Sequence, residues 1–292
     1  MIRGLKAFEC FQANDDGSMQ SLEIFQSLWA MSLLRPDRYE WTIDEQIEMI
    51  VKAGFDGVDL VYGDFDPEKL QRLLTQYNLA CSVTAFPDSI EALRPAIETA
   101  QSLDARHLNI IGKVYPFSVS EGAKFVRGWI ALCDKAELPV TIETHRDCIT
   151  TDLHYTLQLM EKVPEMRLCA DLSHYVVSRE FSWPITPKVQ SQVESILDRS
   201  VAFQGRVASR EQIQLQVSFE HHREWFDLFA GWWQYGFRSW RKRAGKNACL
   251  NFLCELGPKE YAMTGHDGYE LSDRWQESII IRDRVRGIWD RL

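Results

Sequence analysis

Four short segments carry residue types that bind metals or move protons: Val-Thr-Ile-Glu-Thr-His-Arg at 140–146, Leu-Cys-Ala-Asp-Leu-Ser-His at 168–174, Phe-Gln-Gly-Arg-Val at 203–207 and Leu-Cys-Glu-Leu-Gly-Pro at 253–258. Each begins as an apolar strand and then presents Glu143, Asp171, Gln204 or Glu255. An ionised carboxylate there is costly unless it is paired or holds a cation. One such carboxylate alone reads as a helix cap or an ion-pair partner; three in distinct strand-end motifs point to a shared purpose. In a parallel barrel all strand C-termini open at one mouth, so these side chains would converge although the chain separates them widely. Their convergence is the layout of a divalent-metal site with acid/base carboxylates.

The elements that must position these residues alternate regularly. Strand-like runs fall near 22–31, 55–61, 79–86, 107–112, 138–144, 166–172, 200–207 and 249–256, and amphipathic helices near 42–53, 68–77, 89–103, 119–136, 151–162, 187–197, 220–242 and 272–290. Eight β/α units predict an α/β protein, a closed (β/α)8 TIM barrel rather than an open sheet. The first helix shows the punctuation clearly: Thr42 as N-cap, Glu45 three residues on, and Gly54 at the C-terminal stop. Residues 1–20, an apolar stretch followed by Asn14-Asp15-Asp16-Gly17-Ser18, read as an N-terminal extension, and 21–292 as a single barrel domain. A length of 292 residues suits one such domain. Long connections at 176–187 and 208–219 are expected at the mouth, where barrels carry lids and specificity determinants.

Composition narrows the function classes. A formal net charge of −9 opposes sequence-independent nucleic-acid binding, which needs a surplus of Lys and Arg facing phosphate. No apolar run approaches the roughly 20 residues of a membrane span. The opening residues show no secretory pattern, and seven cysteines form no disulfide framework; Cys81, Cys169 and Cys254 lie in apolar segments as small buried hydrophobes would. A cytoplasmic protein with a small-molecule substrate is the expectation, with no nucleic-acid or membrane partner and with homo-oligomerisation left open. The chain has no Gly-x-Gly-x-x-Gly turn, no Gly-x-Ser-x-Gly elbow and no Cys-x-x-Cys pair.

Two further residues stand out on position alone. His145 lies two residues beyond Glu143 and shares its strand face if the strand continues, so it touches substrate or orients Glu143, unless the backbone of its loop satisfies it. Trp29, with Phe25, lies at the end of the first strand and is a candidate wall of the pocket. Trp232, Trp233, Trp240, Phe226, Phe229 and Phe237 recur at helical spacing and read as core; His221 and His222 read as surface or capping residues.

Glu-Thr-His-Arg, Asp-Leu-Ser-His, Gly-Arg-Val and Glu-Leu-Gly-Pro, with Tyr261-Ala262-Met263-Thr264 and Arg274-Trp275, resemble the xylose-isomerase-like sugar (phosphate) isomerase/epimerase superfamily over residues 21–292. The resemblance implies a metal held by Glu143, Asp171, Gln204 and Glu255, with His174 and Arg206 contacting substrate oxygens. It implies a metal-dependent isomerase or epimerase of a keto sugar or related polyhydroxylated compound, working through an enediolate with Glu143 and Glu255 as the acid/base pair. A carbohydrate-like substrate follows. Gln204 departs from the pattern, because relatives place His there. An amide oxygen is neutral and suits hard ions better than it suits transition metals. Either the site is a weaker all-oxygen one for Mn²⁺ or Mg²⁺, with Zn²⁺ or Co²⁺ as alternatives, or Gln204 impairs it. Two other readings stay open: a lyase or dehydratase that expels a β-hydroxyl from the same enediolate, and a non-catalytic sugar-binding or interaction protein. A DNA-repair endonuclease on the same scaffold fits poorly, since it would need several His ligands and the chain has seven histidines in all.

Overall fold

A computed structural model of the chain describes residues 19–34, 37 and 39–292; residues 1–18 of the expected extension lie outside the described residues. In chain order the main elements are β1 (Ser21–Ser27), α1 (Ile43–Ala53), β2 (Gly57–Val61), α2 (Pro67–Tyr77), β3 (Ala80–Ala85), α3 (Arg94–Ser102), β4 (Leu108–Ile110), α4 (Val119–Lys135) and β5 (Val140–Glu143). They continue with α5 (Leu153–Lys162), β6 (Leu168–Ala170), α6 (Ser173–Ser178), α7 (Pro187–Leu197), β7 (Ser200–Gln204), α8 (Arg223–Arg243), β8 (Cys249–Cys254) and α9 (Arg274–Trp289). Each strand pairs in parallel with the next, and β8 returns to β1 from Ser21↔Cys249 to Gln26↔Cys254, closing the barrel.

Local chemistry explains most boundaries. The hydroxyl of Thr42 accepts from the Glu45 backbone N–H, the Glu45 carboxylate reaches back to the Thr42 N–H, and Gly54 ends α1 at φ 77°, a left-handed conformation that glycine adopts without a Cβ penalty. Asp66, Thr186 and Asp273 cap α2, α7 and α9 through side-chain acceptors, with Pro67 and Pro187 opening two of them where no N–H is needed. The expected first strand over 22–31 is shorter than its apolar pattern suggested: it stops at Ser27, and Trp29–Met31 form a 3-10 turn. The connection expected at 176–187 begins inside a helix, since Val176–Ser178 belong to α6 (Ser173–Ser178).

Strand alternation separates two environments. On β5, Ile142 joins the apolar layer between barrel and helices, while Thr141 and Glu143 are buried polar residues on the opposite face, inside the barrel. The six expected aromatics of α8 take the apolar role, with Trp232, Trp233, Phe229, Phe237 and Trp240 buried and Phe226 packed against them. Phe25 is fully buried, and a Cβ at Gly57 would collide with its ring. His222 is a buried residue whose Nδ1 lies 2.9 Å from the Gln216 carbonyl oxygen, and it supplies no side-chain cap. Cys81, Cys169 and Cys254 are buried free thiols, as their apolar settings suggested. No helix among the described residues is long and apolar enough to cross a membrane.

Candidate active site

The last residue of β5 anchors the site. Glu143 is buried, and its Oε2 accepts from Asn109 Nδ2 at 2.5 Å and from Gln204 Nε2 at 2.7 Å. Asn109 stands on β4, and its own oxygen accepts from Thr141 Oγ1 at 2.9 Å, so its amide must turn nitrogen toward Glu143. Glu143 Oε1 and Gln204 Oε1 are both buried without a hydrogen-bond partner.

Asp171 follows β6 where the β6–β7 register shifts between Leu168 and Cys169. Its Oδ1 accepts from the Ser173 backbone N–H at 3.0 Å and from Ser173 Oγ at 2.5 Å. Its Oδ2 receives Arg206 Nε at 3.2 Å and lies 3.5 Å from His174 Nε2. Arg206, fully buried just beyond β7, also donates Nη2 to Glu255 Oε2 at 2.7 Å. Glu255 remains open to the mouth, its side chain 12% exposed. Carboxylate oxygens of Glu143, Asp171 and Glu255 lie within 4.8 Å of one another, and Glu143, His145 and His174 form a second such group.

Aromatic residues roof this cluster. The Arg206 guanidinium sits 4.5 Å from the Tyr261 ring centre and 6.0 Å from that of Trp29, and the two rings meet edge to face at 5.4 Å. Gly257 makes this possible, since a Cβ there would stand 2.5 Å from the Trp29 ring and 2.8 Å from Tyr261 Cβ. The Gly257 backbone is in turn held by Gln214, which accepts its N–H at 2.7 Å and donates to its carbonyl at 3.0 Å.

Asp171 and Glu255 share one buried guanidinium, and the protons of Glu143 and Glu255 respond to the cluster. Burial, then the charges of Glu255 and Asp171, pushes Glu143 well above the usual carboxylate range. Burial raises Glu255 to about 7 although Arg206 opposes the shift. Burial alone would disfavour the Arg206 charge, but Glu255 and Asp171 outweigh it and keep the guanidinium protonated. His145 is lowered to about 4 by burial, its Nδ1 lying 2.5 Å from the Arg146 carbonyl oxygen. Burial and the neighbouring His145 hold His174 well below the usual histidine range; the two ring centres lie 3.8 Å apart, tilted by 44°. Both imidazoles are therefore neutral near pH 7 and available as acceptors or donors rather than as charges.

The structure thus brings Glu143, Asp171, Gln204, Glu255, His145, His174, Arg206 and Trp29 to one end of the barrel. It differs from the sequence expectation in the orientation of Gln204, whose nitrogen, not its oxygen, meets Glu143. Three residues of the site were given no role from sequence. Asn109 carries only the signal of a polar residue between Leu108 and Ile110. Tyr261 belongs to a motif without an assigned task. Asp59 on β2 is buried, accepts from Ser82 Oγ at 2.6 Å and Thr84 Oγ1 at 3.1 Å, and is raised to about 8 mainly by burial.

Compared by sequence, the chain matches no family model and no curated protein. Compared by structure, it is similar to a xylose isomerase-like TIM barrel protein from Mycobacterium smegmatis in complex with magnesium, at 13% identity and TM-score 0.60 over 91% of this chain and 97% of that one. A sugar phosphate isomerase/epimerase from Parabacteroides distasonis is similar at 8% identity and TM-score 0.59, over 92% and 95%. An AP endonuclease of family 2 from Brucella melitensis is similar at 15% identity and TM-score 0.53, over 86% and 96%. These proteins differ in chemistry, so the likeness speaks for architecture and leaves the reaction to the site itself. The chain has a closed (β/α)8 TIM-barrel fold, similar in structure to that of the xylose isomerase-like TIM barrel protein.

Proposed function

We propose that this chain is a divalent-metal-dependent enzyme that moves a proton next to the carbonyl of a keto sugar or related polyhydroxylated compound, as an isomerase or epimerase. The observation that carries the reading is the convergence of carboxylate oxygens of Glu143, Asp171 and Glu255 within 4.8 Å of one another, with burial raising both glutamates above the usual carboxylate range. Titratable groups shifted by burial and by charged neighbours in one cluster are candidates for acid/base partners. Glu255, raised to about 7 and open to the mouth, exchanges a proton near neutrality, and Glu143, also raised by burial, is its partner in returning one to the enediolate. Asn109 and Gln204 occupy Oε2 of Glu143, which leaves Oε1 as its unpartnered oxygen.

The donors fit a hard cation. Glu143, Asp171 and Glu255 offer carboxylate oxygens, Gln204 offers an amide oxygen, and Glu143 Oε1 and Gln204 Oε1 are buried without partners. Mn²⁺ or Mg²⁺ suits an all-oxygen set better than Zn²⁺ or Co²⁺ does. When bound, the ion supplies Lewis-acid stabilisation of negative charge on the substrate oxygens. Arg206 adds fixed positive charge beside Asp171 and Glu255, Trp29 and Tyr261 shield it from water, and the neutral His145 and His174 hydrogen-bond substrate hydroxyls.

The test is proton exchange. With Mn²⁺ present, the protein incubated in D₂O with a panel of ketohexoses and ketopentoses incorporates deuterium at the carbon beside the carbonyl, and Glu143→Gln and Glu255→Gln abolish incorporation. Absence of exchange across the panel counts against the reading. A dehydratase is the second reading: burial raises the proton affinity of Glu143, and a protonated Glu143 can give that proton to a leaving β-hydroxyl. Loss of water from the product mass identifies it.

A further inference from the structure

The mouth holds a cation that the protein itself leaves unpaired. Arg146 follows His145, is half-buried, and lies with its guanidinium 4.9 Å from the Tyr261 ring centre. Beyond this ring contact, its side chain makes no hydrogen bond or ion pair among the described residues. The acid next to it is directed elsewhere: Asp147 accepts from Lys113 Nζ at 3.0 Å and from Tyr115 Oη at 3.0 Å. In a chain of net charge −9, where most buried arginines meet carboxylates, an arginine so placed is conspicuous. A second observation points the same way. Arg206 rests on the same Tyr261 ring, and its buried Nη1 has no partner.

We propose that the substrate carries an oxyanion group, carboxylate or phosphate, at the end remote from the reacting carbons, and that Arg146 receives it. Stacking on Tyr261 holds the guanidinium in place before binding, so less side-chain freedom is lost when the anion arrives. A planar guanidinium matches the paired oxygens of a carboxylate or phosphate, and charge-assisted bonds of this type are roughly twice as strong as neutral ones. Because Arg206 and Arg146 share one ring, a sugar-sized molecule that offers its hydroxyls to Arg206 Nη1 extends its far end to Arg146. The inference rests on the site being one that binds a polyhydroxylated compound, and it narrows that compound to an acidic or phosphorylated one.

Calorimetric titration of the Mn²⁺-treated protein with fructose, fructose 6-phosphate and 2-keto-gluconate tests it. At least one anionic probe is expected to bind tenfold or more tightly than fructose, and the probe that does so identifies the group as phosphate or carboxylate. In Arg146→Met that advantage falls to within twofold, in Arg146→Lys part of it survives, and Mn²⁺ affinity stays at the wild-type value in both. An anionic advantage that persists in Arg146→Met, or no advantage for either anion, including no binding at all, overturns the inference. The two readings fail separately. A wild-type protein that shows the Arg146-dependent advantage without taking up Mn²⁺ loses the metal-enzyme reading alone, whereas deuterium exchange on neutral sugars without any anionic advantage removes the inference alone.

Discussion

Replacing Arg206 by Met keeps much of the volume of a buried side chain and removes the one guanidinium shared by Asp171 and Glu255. Two charge-assisted hydrogen bonds disappear with it, from Nε to Asp171 at 3.2 Å and from Nη2 to Glu255 at 2.7 Å. At an effective dielectric constant of about 20, unit charges about 4 Å apart attract by about 4 kcal/mol, and breaking a buried pair by removing one partner costs about 3–5 kcal/mol. The cost depends on pH. Glu255 is already raised to about 7 with Arg206 present, and Arg206 acts to lower it, so the variant raises it further. A carboxyl raised above its unfolded value holds its proton in the folded state, which contributes stability at low pH and loses it as pH rises toward the folded value. Urea unfolding at pH 5 and pH 8 reads this directly. The variant should lose about 3–5 kcal/mol at pH 8 and less than half of that at pH 5, where the carboxyl needs no counterion. If the cluster is a cation site, saturating Mn²⁺ recovers most of the loss at pH 8. Equal losses at both pH values, or a loss below about 1 kcal/mol at pH 8, would refute the assignment of Arg206 as the charge that holds the cluster together.

Asp59→Asn should flatten the pH dependence of unfolding: Asp59, raised to about 8, keeps its proton in the folded state from about pH 4 upward. Wild-type stability therefore falls by about 1.4 kcal/mol per pH unit from this residue between pH 5 and 7, and an unchanged slope in the variant would disprove the shift. Gln204→His exchanges an amide for an imidazole and should tighten Zn²⁺ binding about ten- to a hundredfold, or roughly 1.4–2.7 kcal/mol; equal Zn²⁺ affinity by calorimetry would show that position 204 contributes no donor. Gly257→Ala forces Trp29 and Tyr261 apart, because the added Cβ would stand 2.5 Å from one and 2.8 Å from the other. Overpacking of this kind costs about 1–3 kcal/mol, and a melting temperature equal to that of the wild type would contradict it.

How much of this was legible beforehand divides along a physical line. Hydrophobic periodicity, Thr42, Glu45 and Gly54 around α1, and the recurrence of β/α units sufficed for a closed barrel, because strand and helix periods and cap chemistry are local properties. Once the barrel was inferred, the mouth followed: Glu143, Asp171, Gln204 and Glu255 had to face one another, since parallel strands end on one side. The end of β1 was not legible because Leu28, Ala30 and Met31 are buried in a 3-10 turn as fully as they would be in a strand, and burial alone does not distinguish the two.

What the sequence could not contain is which atom meets which. Gln204 turns its nitrogen to Glu143 because Oε2 of that carboxylate is an acceptor in reach, and Asn109 does likewise because Thr141 has claimed its oxygen. Arg206 and Arg146 share Tyr261 only because three separate βα loops, after β5, β7 and β8, meet above the barrel. The proton affinities of Glu143, Glu255 and Asp59 depend on burial and on charges from distant parts of the chain. Periodicity assigns a residue to a face and an end of its element; hydrogen-bond direction and electrostatic coupling depend on ångström-scale distances between residues remote in sequence, and those exist only once the chain has closed.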